Sequence, residues 1–487
     1  MVHSKILQTE NSRTLLTVSE KLEKEPRKAT QFLASALATL SALCLGMCLV
    51  WTSPALPMLE NPQSPVKISK SEGAWIGSLL TLGACLGAIP TGPIANWVGR
   101  KRTLQFLALP LFASWMIIAY GDCVAALYVA RFIAGVACGG VSVAAPMYIA
   151  ELAHTSIRGT LGTFFQVLIT VGVLLEYLLG GTITSFQYLA LASAAFPLLF
   201  LTTFSFMPET PVYLYTKGRI DDARKALQFF RGRHYSVDEE LMKIAEDIKE
   251  ATANKTSLGD LLRSRVTLNG LVISMALMAF QQLSGINAVL FYAANIFAET
   301  GSSMAPDTCA ILVGVVQVVA TMLSTLLIDK AGRKILLFLS SLVMCISLVS
   351  LGIYFHVKAT QDLAFLSSLP LVSLGLFIVM FSVGLGPIPW IMLGEIFTPK
   401  TKGVASSISA AFNWVLAFTV TNQYQNMNDT LGVGPTFVLF GAICGVGAIF
   451  VSLLVPETKG KDVEQVQGVL MGNRILNCSC RSKSTEV

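Results

Sequence analysis

The sequence predicts an all-α membrane protein of twelve spans arranged as two similar six-helix halves. Three observations predict it. Of 487 residues, 53% are hydrophobic and only 13% charged, against about 25% charged in an ordinary soluble domain. Apolar runs of about 20 residues, enough to cross a hydrocarbon core of ~30 Å as a helix, can be drawn twelve times. Short polar cassettes recur in the same order about half a chain apart.

The runs lie near 31–51, 74–95, 103–121, 124–148, 160–182 and 187–206, and then 267–293, 308–328, 335–356, 367–391, 403–423 and 434–455. The segments between them test the count, because Lys and Arg are retained on the cytoplasmic side of an inserting chain. With both termini inside, cytoplasmic segments hold 31 of the 35 Lys and Arg. Lys67, Lys70 and Lys358 fall outside, and Arg131 alone lies within a span. An odd span count would scramble this asymmetry. The net charge of +6 is therefore an orientation signal, and no nucleic-acid partner is implied. A polar segment precedes the first run, which has the length of a span rather than of a signal-peptide core, so the first span is its own targeting signal. The expected location is the cell membrane, multi-pass.

Five regions follow: a cytoplasmic tail at 1–30, a first half at 31–206, a charged linker at 207–266, a second half at 267–455 and a cytoplasmic tail at 456–487. The linker has helical stretches at Asp221 to Arg231 and Asp238 to Ala251. It is too short and polar to bury a core of its own. Most cysteines fall within spans and behave as small hydrophobes, so no disulfide framework is expected. Cys478 and Cys480 in the tail are read as inert thiols, with palmitoylation as the alternative. Asn428-Asp429-Thr430 is a sequon in an external loop so close to the membrane that an unmodified site is expected.

The cassettes carry the chemistry of one membrane face. Asn96-Trp97-Val98-Gly99-Arg100-Lys101 matches Asp329-Lys330-Ala331-Gly332-Arg333-Lys334, the segment Pro146 to Gly159 matches Pro389 to Gly403, and Pro208-Glu209-Thr210 matches Pro456-Glu457-Thr458. Duplicated bundles are the organisation of a carrier that exposes a central site to each side in turn. Each cassette glycine permits a tight reversal. Arg100, Glu151, Arg158 and Glu209, with Arg333, Glu395, Lys402 and Glu457, form ion-pair networks that hold the bundles together when this side is closed. Topology anchoring alone is the plainer role of any single cation.

Two charges lie within the bilayer, Arg131 in the fourth span and Glu176 in the fifth, both roughly 9–10 Å from the outer end at 1.5 Å per residue. Either they pair, or Arg131 bonds backbone carbonyls beside a neutral Glu176. Both readings stay open. The other polar groups at depth are uncharged: Gln166, Gln281, Gln282, Asn287, Gln317, Trp390 and Asn413. Amides donate and accept at once, which suits a hydroxyl-rich solute, and an indole face stacks on the C–H side of a sugar ring. Amides also join helices with no ligand present. A helix break at Gly285 turns Gln282 and Asn287 inward, and Gly384, Gly386, Pro387 and Pro389 loosen span ten in the same way. No nucleotide-binding sequence, metal-ligand cluster or nucleophile motif is present. The chain does not read as an enzyme, and no cofactor or metal is implied.

These residues resemble the sugar porter family of the major facilitator superfamily from about Gly73 to Lys461. The motifs are Gly99-Arg100-Lys101, Arg131-Phe132-Ile133-Ala134-Gly135, Pro208-Glu209-Thr210-Pro211, Gln281-Gln282-Leu283-Ser284-Gly285-Ile286-Asn287, Gly386-Pro387-Ile388-Pro389-Trp390 and Pro456-Glu457-Thr458-Lys459-Gly460. The start, Ser71-Glu72-Gly73-Ala74-Trp75-Ile76-Gly77-Ser78, is similar to insect facilitated trehalose transporters. The resemblance implies the major facilitator fold and assigns sugar contact to Gln166, Gln281, Gln282, Asn287, Gln317, Trp390 and Asn413. There are departures. Gln317 stands where similar hexose facilitators have asparagine, and Ser382 where many have glutamate. Proton-coupled members pair a first-span aspartate with the fourth-span arginine, whereas residues 31–51 hold no acid. Uniport of a neutral sugar, glucose-like hexose or trehalose, by a monomer in the lipid bilayer is the expectation. Proton-coupled symport through Glu176 and a non-transporting sugar receptor are the alternatives.

Overall fold

A computed structural model describes residues 26–232, 235–253, 264–300, 304–358, 366, 368–461 and 463–472. Cys478 and Cys480 lie outside the described residues. Twelve helical segments among those described are long and apolar enough to cross a membrane, each overlapping one of the expected runs. The first six are α1 (Ala29–Val50) continuing as α2 (Thr52–Glu60), then α3 (Lys70–Val98), α4 (Arg100–Tyr120), α5 (Val124–Leu152), α6 (Arg158–Thr182) and α7 (Phe186–Phe204). The linker holds α8 (Pro211–Thr216), α9 (Ile220–Arg231) and α10 (Val237–Ala253). Span seven is α11 (Arg265–Leu283) with α12 (Ile286–Phe291), followed by the short α13 (Ala293–Thr300). Then come α14 (Pro306–Ala331) and α15 (Arg333–Lys358). Span ten is α16 (Leu369–Met380), a π-helical turn at Phe381–Leu385, and α17 (Ile388–Ile396). The chain continues through α18 (Pro399–Leu431), α19 (Val433–Leu454) and α20 (Val463–Gly472).

Packing repeats between the halves as the cassettes do. α4 lies against α7, and its counterpart α15 lies against α19. Lipid tails are as apolar as leucine, so helices associate in a membrane through close van der Waals contact rather than through expulsion of water. Glycines supply the approach. A Cβ at Gly172 of α6 would collide with the Leu43 carbonyl of α1, one at Gly139 of α5 with the Ala84 carbonyl of α3, and one at Gly352 of α15 with the Gly434 carbonyl of α19. Elsewhere the helices present exposed leucines and isoleucines, among them Leu326, Ile346 and Leu453, as lipid-facing surfaces do.

By compactness the chain divides into two units, one drawn from Met1–Leu49 with Gly83–Ala253 and one from Val50–Leu82 with Asn254–Val487. In the first unit the linker is fastened to the membrane helices by Arg231, which is 2% exposed. Its Nη1 donates to the Leu152 carbonyl at the end of α5, 2.8 Å, while Nε and Nη2 grip Glu240 of α10 at 3.0 and 2.6 Å. A cation on the last carbonyls of a helix satisfies groups that have no intrahelical donor. A small apolar cluster of Leu214, Ala223, Leu227, Leu241 and neighbours lies beneath.

In the second unit, residues 50–82 join the C-terminal helices by hydrogen bonds. Thr52 Oγ1 donates to the Phe291 carbonyl at 3.1 Å, Ser53 Oγ accepts from Ala294 N at 3.0 Å, and Asn422 Nδ2 donates to Ser78 Oγ at 3.0 Å. One expectation is corrected here. The sequon does not occupy a loop: Asn428 lies within α18, which runs on to Leu431 and turns directly into α19 through Gly432 at φ +89°. The change from apolar to polar residues marks the end of the apolar layer, not the end of the helix.

Two alanine substitutions on one helix separate close packing from helix propensity. Gly172→Ala is expected to lower the melting temperature in detergent by forcing α6 off α1, an overpacking cost of about 1–3 kcal/mol. Gly162→Ala, with nothing within 4 Å of the new Cβ, is expected to leave it unchanged or raise it, since alanine favours helix over glycine by roughly 0.5–1 kcal/mol.

Candidate functional site

The uncharged polar residues at depth fall in both units. Gln281, Gln282, Asn287, Gln317, Trp390 and Asn413 belong to the second unit, and Gln166 of α6 to the first. In the second, four amides form one hydrogen-bonded chain. Asn287 Nδ2 donates to Gln282 Oε1 at 2.6 Å, Gln282 Nε2 to Asn413 Oδ1 at 2.9 Å, and Asn413 Nδ2 to Gln281 Oε1 at 2.8 Å. Gln281 Nε2 then donates to the carbonyls of Leu385 and Gly386, at 2.8 and 2.7 Å. Four helical elements therefore meet through amide groups: α11, α12, α18 and the end of the π-helical turn.

Local backbone creates this meeting. α11 stops at Leu283, and Gly285 takes φ +81°, a left-handed conformation natural to glycine. A Cβ there would also strike the Phe440 ring. The chain restarts as α12, which brings Asn287 within reach of Gln282 across the break. Span ten opens differently. Pro387 and Pro389 have no N–H to continue the ladder, and Gly386 N instead donates to the Phe381 carbonyl at 2.7 Å, an i→i+5 bond. The widened turn leaves the Leu385 and Gly386 carbonyls open to Gln281. Ser340 of α15 supports it from behind, its Oγ accepting from Leu385 N at 3.0 Å, in a contact that leaves no room for a side chain at Gly384.

Gln317 is buried on α14, which packs on the π-helical turn, and its Oε1 has no hydrogen-bond partner among the described residues. Trp390 of α17 is 41% exposed, which leaves its ring accessible. The buried charges lie in the first unit. Arg131 Nη1 donates to the Cys48 carbonyl at 2.8 Å, and Glu176 Oε2 accepts from Ser193 Oγ at 2.9 Å. Glu176 Oε1, fully buried, has no hydrogen-bond donor among the described residues.

The charged cassettes build the same structure twice. In the first unit Gly99 has φ +113° and in the second Gly332 has φ +91°. Each glycine lets the next helix begin against a carboxylate. Glu209 Oε1 accepts from the N–H groups of Arg100 and Lys101 at 3.1 and 3.0 Å, and Glu457 accepts from those of Arg333 and Lys334 at 3.0 and 3.1 Å. An anion at a helix N-terminus meets unsatisfied donors and the positive end of the helix dipole. Arg100 then bridges to Glu151 at 2.9 Å, and Arg333 to Glu395 at 3.0 Å. Thr210 donates to Glu151 and Thr458 to Glu395. Burial pushes the Glu457 carboxyl up, but four backbone N–H bonds outweigh it and hold the group below the usual carboxylate range.

These networks differ from the expectation in two ways. The cassette ion pairs, Arg100 with Glu151 and Arg333 with Glu395, each run within one half of the chain and tie the start of one helix to the end of another. Arg158 and Lys402 are exposed and form no ion pair among the described residues. Both sit seven residues past the nearest acid, in the first turn of the following helix, and are exposed there. Thr210 and Thr458, whose hydroxyls serve these networks, carried one sequence signal, their place in a repeated cassette; Ser340 and Ser193 carried none.

Comparisons with known proteins give the chain a family and a fold. A family model described as sugar (and other) transporter matches residues 52–470. The facilitated trehalose transporter Tret1 of Culex quinquefasciatus is 39% identical over 447 residues, covering 91% of this chain and 86% of that protein. Tret1 of Aedes aegypti is 39% identical over the same share of this chain but only 55% of its own length, and the chain spans about half the length of several other such relatives. Among solved structures, the xylose transporter XylE from E. coli in an inward open conformation superposes with a TM-score of 0.76 at 26% identity, covering 90% of this chain and 99% of that one. Its partially occluded inward open form gives 0.75 at 26%, covering 89% and 99%. A membrane-spanning helical chain with duplicated cassettes and the major facilitator fold, matched over most of its length, belongs to the sugar transporter family.

Proposed function

We propose that this chain is a facilitative carrier of a neutral sugar, a glucose-like hexose or trehalose, working by alternating access in a cell membrane with both termini cytoplasmic. The observation that carries the reading is the chain of four amides ending on open backbone carbonyls. It contains only uncharged donors and acceptors, which match a polyhydroxylated solute and give no partner to an anion or a cation. Gln281, Gln282, Asn287, Gln317 and Asn413 are read as the polar contacts, Trp390 as the stacking face and Gln166 as the contribution of the first half. The relatives act as facilitated trehalose transporters by description, which supports the choice of substrate class.

In this reading each half is a body, 31–206 and 267–455, that rocks about the site. The twin networks of Arg100, Glu151 and Glu209 and of Arg333, Glu395 and Glu457 hold each body's charged end rigid during that motion, and Arg158 and Lys402 serve as topology anchors. The bonds of Thr52, Ser53 and Ser78 with the C-terminal helices close the outer side. Uniport is favoured because Arg131 bonds a carbonyl and no first-span acid stands beside it. Glu176 is the one feature that would support proton coupling. The carrier works as a monomer and needs no cofactor.

Counterflow of labelled glucose and trehalose in liposomes holding only this protein tests the proposal; the absence of exchange for every sugar tried would remove it in favour of a receptor. Gln281→Ala and Asn413→Ala are expected to lower counterflow kcat/KM roughly 10- to 100-fold, the effect of the about 1–3 kcal/mol that an abandoned buried polar partner costs. Arg100→Ala strands a buried carboxylate and is expected to destabilise by about 3–5 kcal/mol, with part of the loss recovered in Arg100→Ala with Glu151→Ala; thermal unfolding in detergent reads both. Glu176→Gln is expected to keep its transport rate with and without a pH gradient. Uptake that collapses with the gradient, and fails in that variant, reverses the choice to symport.

A further inference from the structure

At the charged end of the first unit a cavity of about 440 Å³ opens between the start of α4, the segment after α7 and the linker helices α8 and α9. Its lining includes four cations, Lys101, Arg102, Arg219 and Lys225, against two carboxylates, Glu209 and Asp222. Both carboxylates are already engaged. Glu209 holds the backbone N–H groups at the start of α4, and Asp222 accepts from Arg219 at 2.7–2.8 Å. The cations are less occupied. Lys225 comes no nearer than 3.9 Å to Asp222, and Lys101 Nζ donates to the Ser205 carbonyl, which cancels no charge. Arg102 is exposed and has no hydrogen-bond or ion-pair partner among the described residues. A positive excess therefore faces a concavity of the size that takes small ligands, about 300–1,000 Å³. Its apolar wall includes Phe229, 42% exposed.

We propose that this cavity binds a phosphate-bearing ligand, with Arg102, Lys225 and Lys101 as its cationic contacts. A guanidinium offers phosphate a planar fork of donors and an ammonium a point charge. The sugar site offers neither. Two sources share this chemistry. A phosphorylated lipid headgroup would arrive from the cytoplasmic leaflet, which is negatively charged, with its chains lying along exposed apolar groups such as Phe206. A soluble phosphate compound would arrive from the cytoplasm. In either case the ligand braces α9 against the start of α4, which begins with Arg100, and so bears on the network described above. The role is separate from sugar recognition and stands or falls independently of it.

The experiment uses the full chain in nanodiscs. In one arm discs of phosphatidylcholine are titrated calorimetrically with inorganic pyrophosphate, and in the other thermal unfolding is followed as a phosphatidylinositol phosphate is added to the discs. Binding or stabilisation is expected in at least one arm, weakened roughly tenfold or more in Arg102→Ala with Lys225→Ala, which removes two charge-assisted contacts. Lys243→Ala with Lys249→Ala removes the same charge from the exposed side of α10 and is expected to change nothing; both double variants keep the basal counterflow of the parent. A response to pyrophosphate alone identifies a soluble phosphate compound, and a response to the lipid alone a headgroup. No response in either arm, or equal weakening in the two double variants, overturns the proposal.

Discussion

The constraint on which the rest depends is that a chain in lipid must satisfy its own backbone. No water reaches the hydrocarbon to pair with a freed N–H or C=O, so helices run unbroken wherever they face lipid, and a break survives only where protein groups answer it. The two breaks in the second unit obey this rule and create the site by obeying it. At Gly285 the chain turns and restarts, and Asn287 bonds Gln282 across the gap. At the π-helical turn two carbonyls lose their helical donors, and Gln281 supplies both. The groups that repair the helices are the ones proposed above as sugar contacts. On that proposal, binding and fold draw on a single set of hydrogen bonds, and a solute entering the amide chain exchanges partners with it.

The same logic governs the charged ends of the helices. A helix that begins at Arg100 or Arg333 leaves its first N–H groups without acceptors, and a carboxylate from a distant segment takes them. A positive φ at Gly99 or Gly332 is what lets the carboxylate approach, since a side chain there would occupy its place. One short cassette thus combines a turn, a helix start and an ion pair. Its duplication carries all three to the other half. Because each network closes within its own half, it stiffens that body, as the rocking motion proposed above requires.

Much of this was legible in sequence. Twelve apolar runs became twelve spans, and the linker helices appeared within a residue or two of the stretches expected. The cassette residues Arg100, Glu151, Glu209, Arg333, Glu395 and Glu457 met as the repeats implied. The site amides were legible as types, because an uncharged polar residue in an apolar run stands out, and Gly285 with the Pro387 and Pro389 pair marked where helices would open. Arg158 and Lys402 were not separable from the network by pattern: each follows its acid in the repeat as a partner would, and only the direction of the new helix carries it outward. Ser340 and Ser193 were invisible because a lone serine in a span has no periodic or compositional mark.

What the sequence by itself determined was everything set by local chemistry and count: which segments cross lipid, which end carries the cations, where the backbone turns, and that the chain is built twice. Those properties depend on neighbours along the chain. Only the tertiary structure decided which amide bonds which, that Arg131 takes the Cys48 carbonyl while Glu176 takes a serine, that residues 50–82 bond to the C-terminal helices, and that four cations gather around one cavity beside the linker. Most of these pair groups tens to hundreds of residues apart, and the angle at which helices cross, which depends on where glycines allow contact, determines which of them come within hydrogen-bonding distance.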